Sequence, residues 1–222
     1  MNGSPSAIEL PRKINLWGRI VMRCAGRSVV SKHNRRSRLF YNAICRLYDW
    51  LFLVRVYGYV NAARRLVDDL VEENDVVVDL GCGTGLVAHL AARRAKEVLG
   101  VDHARGMLRR AKRKGRHLIN VQYVLADCRS LPLTGPFDSI LSSFMLVILK
   151  EHERRQVVRD AYALLRPGGK LGLLGSHERV SHEWYTPSGW RSLLHNAGFE
   201  DVKILDLSDT FRIVSARRPS NT

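Results

Sequence analysis

The chain has 222 residues, 45% of them hydrophobic and 26% charged, a composition that suits one α/β domain with a sizeable core. Its net charge of +15 favours nucleic acid or an anionic membrane surface as a neighbour. Cys24, Cys45, Cys82 and Cys128 form no C-x-x-C pair and the histidines show no ligand spacing, so they read as reduced thiols of an intracellular protein without a metal site.

Residues 1–37 read as a basic arm. Lys and Arg recur from Arg12 to Arg46 against one acid, Glu9. Within the arm, Ile14, Trp17, Ile20, Val21 and Cys24 fall at helical spacing. Three readings stay open: an amphipathic helix lying on a membrane, a helix packed on the domain, and a solvated tail. An Arg-rich, acid-poor start also has the composition of an organellar transit segment. The expected location is cytoplasmic, with peripheral membrane contact through residues 1–37 as the elaboration. No run of about 18 uncharged apolar residues suggests a membrane span. The nearest, from Tyr48 to Val60, is interrupted by Arg55.

The domain is expected over 38–218. Arg38 to Val71 looks helical, with a break at Gly58. Strands and helices then alternate as in a parallel sheet. Strands are expected at 76–80, 97–101, 120–125, 137–142 and 170–175, and helices near 84–95 and 104–115. Val157, Val158, Ala161, Leu164 and Leu165 mark a further amphipathic helix, ended by Pro167-Gly168-Gly169. A helix near 187–197 precedes two runs, 200–206 and 210–217, that read as an antiparallel hairpin. The expected fold is therefore α/β: a doubly wound, mostly parallel seven-stranded sheet of Rossmann-like type, with an antiparallel C-terminal hairpin and an N-terminal helical extension. Ligands in such sheets sit outside the carboxyl ends of the strands.

Chemistry is most legible at Val76–Gly85, VVVDLGCGTG. A strand runs into a loop holding Gly81, Gly83 and Gly85, where backbone N–H groups can meet a ligand with no Cβ in the way. A dinucleotide fingerprint would need a glycine at position 86, which is Leu86. Asp102, ending the second strand, suits the two hydroxyls of a ribose, with a helix cap as the alternative. Asp127 and Cys128 follow the third strand. There an acid can take an adenine amino group while a backbone N–H meets a ring nitrogen; a plain turn is the alternative.

V-D-L-G-C-G-T-G, V-L-G-V-D, A-D-C-R-S-L-P, F-D-S-I-L-S-S and L-L-R-P-G-G-K-L occur in this order over roughly residues 40–218. This set resembles the ubiquinone/menaquinone-biosynthesis (UbiE-like) branch of class I S-adenosylmethionine (SAM) methyltransferases, and Tyr48-Asp49 resembles a Y-D near the start of those enzymes. The resemblance implies SAM as cofactor. It also implies that Thr84, Asp102, Asp127, Cys128 and Ser143 contact it and that Asp79 and Gly81 line its methionine end. Two segments depart from the pattern, Phe144 to Ile148 and Ser176-His177-Glu178, and both face the acceptor.

Methyl transfer from a sulfonium relies mostly on positioning and desolvation, and needs a base only if the acceptor must lose a proton. His177 is the candidate base, with Tyr48 and Asp49 as a lid and His182 and Tyr185 as further acceptor-side candidates. Trp50, Leu51, Leu53 and Val54 either line an apolar acceptor pocket or bury against the sheet. The first expectation is a methyltransferase for a small apolar acceptor, such as a prenylated quinone or a lipid head group. The alternatives are a nucleic-acid methyltransferase, whose phosphates the basic arm would hold, and a non-catalytic SAM-binding protein. The nucleic-acid reading lacks an N/D-P-P-Y/F/W sequence after the fourth strand. Oligomeric state is not legible.

Overall fold

A computed structural model describes residues 39–43, 58–176 and 185–220. Besides a short helical stretch at 39–43, they hold seven strands and five α-helices: α1 (Tyr59–Leu70), β1 (Val76–Leu80), α2 (Leu86–Ala91), β2 (Glu97–Asp102), α3 (Arg105–Lys114), β3 (Val121–Leu125), β4 (Phe137–Ser143), α4 (Glu151–Leu164), β5 (Leu165–Ser176), α5 (Pro187–Asn196), β6 (Glu200–Asp206) and β7 (Phe211–Arg217). The strands form one sheet in the order β3-β2-β1-β4-β5-β7-β6. β7 pairs antiparallel with both β5 and β6, and the other pairings are parallel. The expected doubly wound sheet with its C-terminal hairpin is present.

The central strands are hydrophobic on both faces because both are covered. Val77, Val78, Val98, Leu99, Ile140 and Leu141 are wholly buried. On one face α1 and α2 close a cluster. α1 contributes Tyr59, Ala62, Ala63, Leu66, Val67 and Leu70, spaced i, i+3, i+4, i+7, i+8, i+11, so one helix side is apolar throughout. In a second cluster Val157, Val158 and Ala161 of α4 and Trp190 and Leu194 of α5 join Ile140, Leu171 and Leu173 of β4 and β5.

Local chemistry sets the element ends. Gly58, at φ 87, opens α1 in the left-handed region, at the break read from the sequence. Glu153 accepts from the Lys150 N–H at 2.9 Å at the start of α4. Thr186 caps α5 by accepting from the Gly189 N–H at 3.2 Å, with Pro187 in the first turn. One boundary differs from expectation. Pro167-Gly168-Gly169 does not end the preceding helix, which stops at Leu164, but lies inside β5. The β4–β5 register shifts there, from Phe137↔Leu165 to Ser139↔Lys170. Proline lacks an N–H for the ladder and Gly168 sits at φ 77, so the strand bulges. The Gly168 N–H and Gly169 carbonyl instead bond to Arg218.

Candidate functional site

The parallel strands β1, β2, β3 and β4 end on one edge, and every cofactor residue expected from the sequence lies at or just beyond it. Asp79 is in β1, the loop Gly81, Gly83, Thr84 and Gly85 follows, Asp102 ends β2, Asp127 and Cys128 follow β3, and Ser143 ends β4.

The glycine loop is folded by its own backbone. Gly81 and Cys82 N–H groups bond to the Val101 carbonyl at 2.8 and 2.9 Å, and the Gly85 N–H closes a turn on the Cys82 carbonyl at 2.8 Å. Gly81, Gly83 and Gly85 have φ values of 72, 54 and 91. The three glycines face different surroundings. A Cβ on Gly81 would lie 2.5 Å from Met145, and one on Gly85 would lie 2.6 Å from His89. A Cβ on Gly83 would meet nothing within 4 Å. Gly81 and Gly85 thus serve internal packing, whereas Gly83 opens onto space a ligand can use.

Two carboxylates lock this loop. Asp79 is 1% exposed, and its Oδ2 accepts from the Ala88 N–H in the first turn of α2 at 3.0 Å. Its Oδ1 is buried without a partner among the described residues. Burial pushes this carboxyl up to about 7, against the opposing Ala88 bond. Asp102 accepts from the Gly83 N–H at 2.9 Å through Oδ2 and from the Ala104 N–H at 2.8 Å through Oδ1. Burial raises it too, although the Ala104 bond opposes the rise. Its cap-like bond goes to Ala104, itself the N-cap of α3, and its second oxygen braces the glycine loop, a tie that strand spacing does not disclose.

Asp127 is engaged by Arg129. Nε contacts both carboxylate oxygens at 3.0 and 3.2 Å, and Nη2 contacts Oδ2 at 2.7 Å; Arg129 also reaches Glu153 at 2.5 Å. Burial works to raise Asp127, but the Arg129 bonds outweigh it and hold the carboxyl below its ordinary range. Cys128 is a packed residue: burial lifts its thiol to about 12, and its Sγ lies 3.3 Å from Met145 Sδ. Thr84 is buried, 3.4 Å from Lys114 Nζ. Ser143 Oγ lies 3.0 Å from the Tyr59 hydroxyl.

Several neighbours were missed by sequence reasoning. Met145 covers Gly81 and touches Cys128. Asn42, in the short helical stretch 39–43, accepts from the Gly106 N–H at 2.6 Å, while Tyr41 meets His103 edge-on at 6.0 Å. This stretch therefore sits beside Asp102, whose charge, after burial, helps to raise the Tyr41 phenol. Phe144, at φ 56, holds its ring edge-on to Tyr59 at 5.4 Å and Phe211 at 6.1 Å. No period links these three positions; a non-glycine φ in this region becomes visible only with coordinates. Tyr185 packs edge-on against Trp190 at 5.2 Å, beneath Arg154. The acceptor-side candidates His177, Tyr48, Asp49, His182, Trp50, Leu51, Leu53 and Val54 lie outside the described residues.

The residues present fit the adenosyl and methionyl parts of SAM. Open backbone at Gly83 lies beside Asp102, and Asp79 keeps a buried oxygen available for an ammonium group.

Residues 77–169 match the methyltransferase domain family. Among curated proteins, the chain is 28% identical over 162 residues to carboxy-S-adenosyl-L-methionine synthase of Erwinia tasmaniensis, covering 63% of this chain and 65% of that protein. It is 38% identical over 114 residues to trans-aconitate 2-methyltransferase of Deinococcus radiodurans, covering 50% and 42%. It is 29% identical over 148 residues to demethylmenaquinone methyltransferase of Thermotoga maritima, covering 64% and 62%. These alignments thus span less than two thirds of each relative. Among solved structures, the DhpI–SAH complex superposes with a TM-score of 0.72 at 19% identity, over 87% of this chain and all of that one. The fold is that of Rossmann-like methyltransferases, and residues 77–169 match the methyltransferase domain.

Proposed function

We propose that the chain is a SAM-dependent methyltransferase acting on a small apolar acceptor, a prenylated quinone or a lipid head group, through a domain spanning 38–218. The observation that carries this reading is the half-buried Phe144 ring at the carboxyl edge, backed by the buried rings of Tyr59 and Phe211. Phe144, directly after Ser143, is half-buried and leans on Tyr59 and Phe211. Such a surface suits a flat, apolar ring and offers nothing to a phosphate. Two relatives bear names that fit it: the demethylmenaquinone methyltransferase of Thermotoga maritima and a 2-phytyl-1,4-naphtoquinone methyltransferase of Thermosynechococcus vestitus. This supports the quinone-biosynthesis likeness read from the motifs.

When bound, SAM supplies an electrophilic methyl on a sulfonium, and its departure leaves a neutral thioether. The chain's own work is positioning. Asp102 and the Gly83 backbone would hold the ribose, Asp127 the adenine amino group, and Asp79 with Gly81 the amino-acid end, while Thr84, Cys128 and Ser143 complete the lining. The Asp127–Arg129–Glu153 chain fixes the Asp127 carboxylate before any ligand arrives. Tyr59 bonds Ser143, and burial lifts its phenol to about 12, so it stays protonated and serves as wall and hydrogen-bond partner, not as base. Where the acceptor is a phenolic quinol, His177 is the proposed base, with Tyr48 and Asp49 as lid.

The test is incubation with methyl-tritiated SAM and a reduced, desmethyl prenylated quinone in detergent, followed by organic extraction. Label in the organic phase supports the reading. Calorimetric SAM binding without label in quinone, lipid or RNA fractions would overturn the acceptor class and leave the cofactor assignment standing.

A further inference from the structure

α3 is built in a way its own stability does not account for. Between residues 105 and 120 the chain has seven Lys or Arg and no acid. Arg105, Arg109 and Lys112 fall at i, i+4, i+7, with Arg113 beside them and Arg116 just beyond the helix; all are exposed. The opposite side carries Met107, Leu108 and Ala111, buried against the domain.

Several exposed cations elsewhere in the domain face carboxylates. Arg65 meets Asp69 at 2.7 Å on α1, Arg155 meets Glu151 on α4, Arg166 meets Asp138 at 2.5 Å and Arg217 meets Asp201 at 2.6 Å. Among the described residues, Arg105, Arg109, Lys112, Arg113 and Arg116 have no such partner. Instead, Arg105 with Arg109 and Arg109 with Arg113 are like-charge i,i+4 pairs, which oppose the helix. Arg105 also stands in the first turn, where the helix dipole disfavours a cation. The dipole explains Lys112 and Arg113 in the last turn but not the stripe as a whole. An external anionic surface relieves this repulsion.

The apolar groups at both ends of α3 decide which surface. Ile119, in the loop after α3, is completely exposed. Leu39 and Phe40, each 58% exposed, sit in the stretch that docks on the N-terminus of α3 through Asn42 and Gly106. Phosphodiester has no use for exposed aliphatic side chains, whereas the headgroup region of a bilayer takes up cations and apolar groups together. We propose that the outer face of α3, with Ile119 and the Leu39-Phe40 pair, docks the protein on an anionic lipid surface. This stands whether or not the acceptor is a quinone, and it is separate from any contact made by residues 1–37.

The test is co-sedimentation of the full chain with vesicles of phosphatidylcholine alone or mixed equally with phosphatidylglycerol. The wild type binds the mixed vesicles only. Arg109→Glu/Lys112→Glu/Arg113→Glu loses about a hundredfold in partition, whereas Arg64→Glu/Arg155→Glu/Arg159→Glu, with the same net charge change on α1 and α4, loses under about threefold. Ile119→Ser loses about fivefold. Circular dichroism melts confirm folding. If the reversed charges disturb it, the corresponding Gln triple replaces them, with an expected loss of about tenfold. Equal losses for the α3 and control triples overturn the proposal. So does binding of an RNA oligonucleotide that depends on α3 while vesicles stay free, an outcome that would assign the face to nucleic acid.

Discussion

The two halves of the sheet's carboxyl edge are made by different means. At β1, β2 and β3 the site is backbone held by carboxylates: Asp79 grips α2, Asp102 grips the Gly83 and Ala104 N–H groups, and Gly81 and Gly85 are shaped by what packs on them. At β4, β5 and β7 it is side chain on side chain, with Tyr59, Phe144 and Phe211 meeting ring to ring from three distant segments. The first half demands particular residue types at particular spacings, because glycine takes those φ values without strain and a carboxylate offers one oxygen to each of two N–H groups at a strand end. The second demands only bulk and shape, which many residues supply. A cofactor common to many enzymes fits the first construction, and an acceptor particular to one enzyme fits the second.

The sharpest way to break this contrast is within the glycine loop. Gly81→Ala places a methyl 2.5 Å from Met145 Cβ at φ 72. It should lower the melting temperature and cut SAM affinity by about a hundredfold or more. Gly83→Ala meets no neighbour. It should cost only the strain of its φ, about 1 kcal/mol, while still weakening SAM by more than about tenfold. Calorimetry alongside thermal melts separates the two. Unchanged SAM affinity in Gly83→Ala would mean that the open space at Gly83 is not the ligand's.

Next in size is Asp102→Ala, which should weaken SAM more than about tenfold by removing the ribose acceptor and releasing the Gly83 and Ala104 N–H groups together. Asp102→Asn keeps an acceptor for one of the two and should fall between. An unchanged dissociation constant for Asp102→Ala would remove the ribose role.

Asp79 adds a pH dependence. Its folded carboxyl is raised to about 7, above the range it would have unfolded. Between about pH 4 and pH 7 the folded state therefore binds a proton that the unfolded state has released, so unliganded stability falls as pH rises through that window, by up to about 4 kcal/mol. Asp79→Asn should flatten the urea midpoint against pH. SAM binding to the wild type near pH 6 should release a proton, read as a buffer-dependent enthalpy, because an ammonium group beside Oδ1 favours the carboxylate. A flat wild-type profile would place Asp79 outside this linkage.

What the sequence shows follows the same division. β1 to β5 and the hairpin lie within a few residues of their expected places because periodicity and glycine punctuation are local signals. In the sequence Pro167-Gly168-Gly169 reads as a terminator, since a proline followed by two glycines after a helix looks the same whether the chain turns away or enters a bulged strand. Asp79, Asp102 and the glycines were legible because each stands at a fixed offset from a strand end. Met145, Arg129, Tyr59 and Phe144 carry no such offset. Their roles come from contacts across as many as 152 positions, as between Tyr59 and Phe211, and only the folded sheet supplies those.

Phe144 gives the smallest expected effect on stability and the most direct probe of the second half. Its φ of 56 is strained for a β-carbon-bearing residue, by about 1–3 kcal/mol. Phe144→Gly relieves that strain while giving up the edge contacts of a half-buried ring, worth a similar amount, so the melting temperature should move by only a few degrees. SAM affinity should stay within about twofold of the wild type, because the cofactor-side contacts, Ser143 apart, lie at the ends of β1, β2 and β3. KM for a prenylated quinone should rise by about tenfold, since the partly exposed ring at that edge is gone. A rise in SAM dissociation constant equal to the rise in KM would mean that the two halves are coupled through Ser143 and Tyr59, and that the division between a backbone-built cofactor site and a ring-built acceptor wall does not hold at their junction.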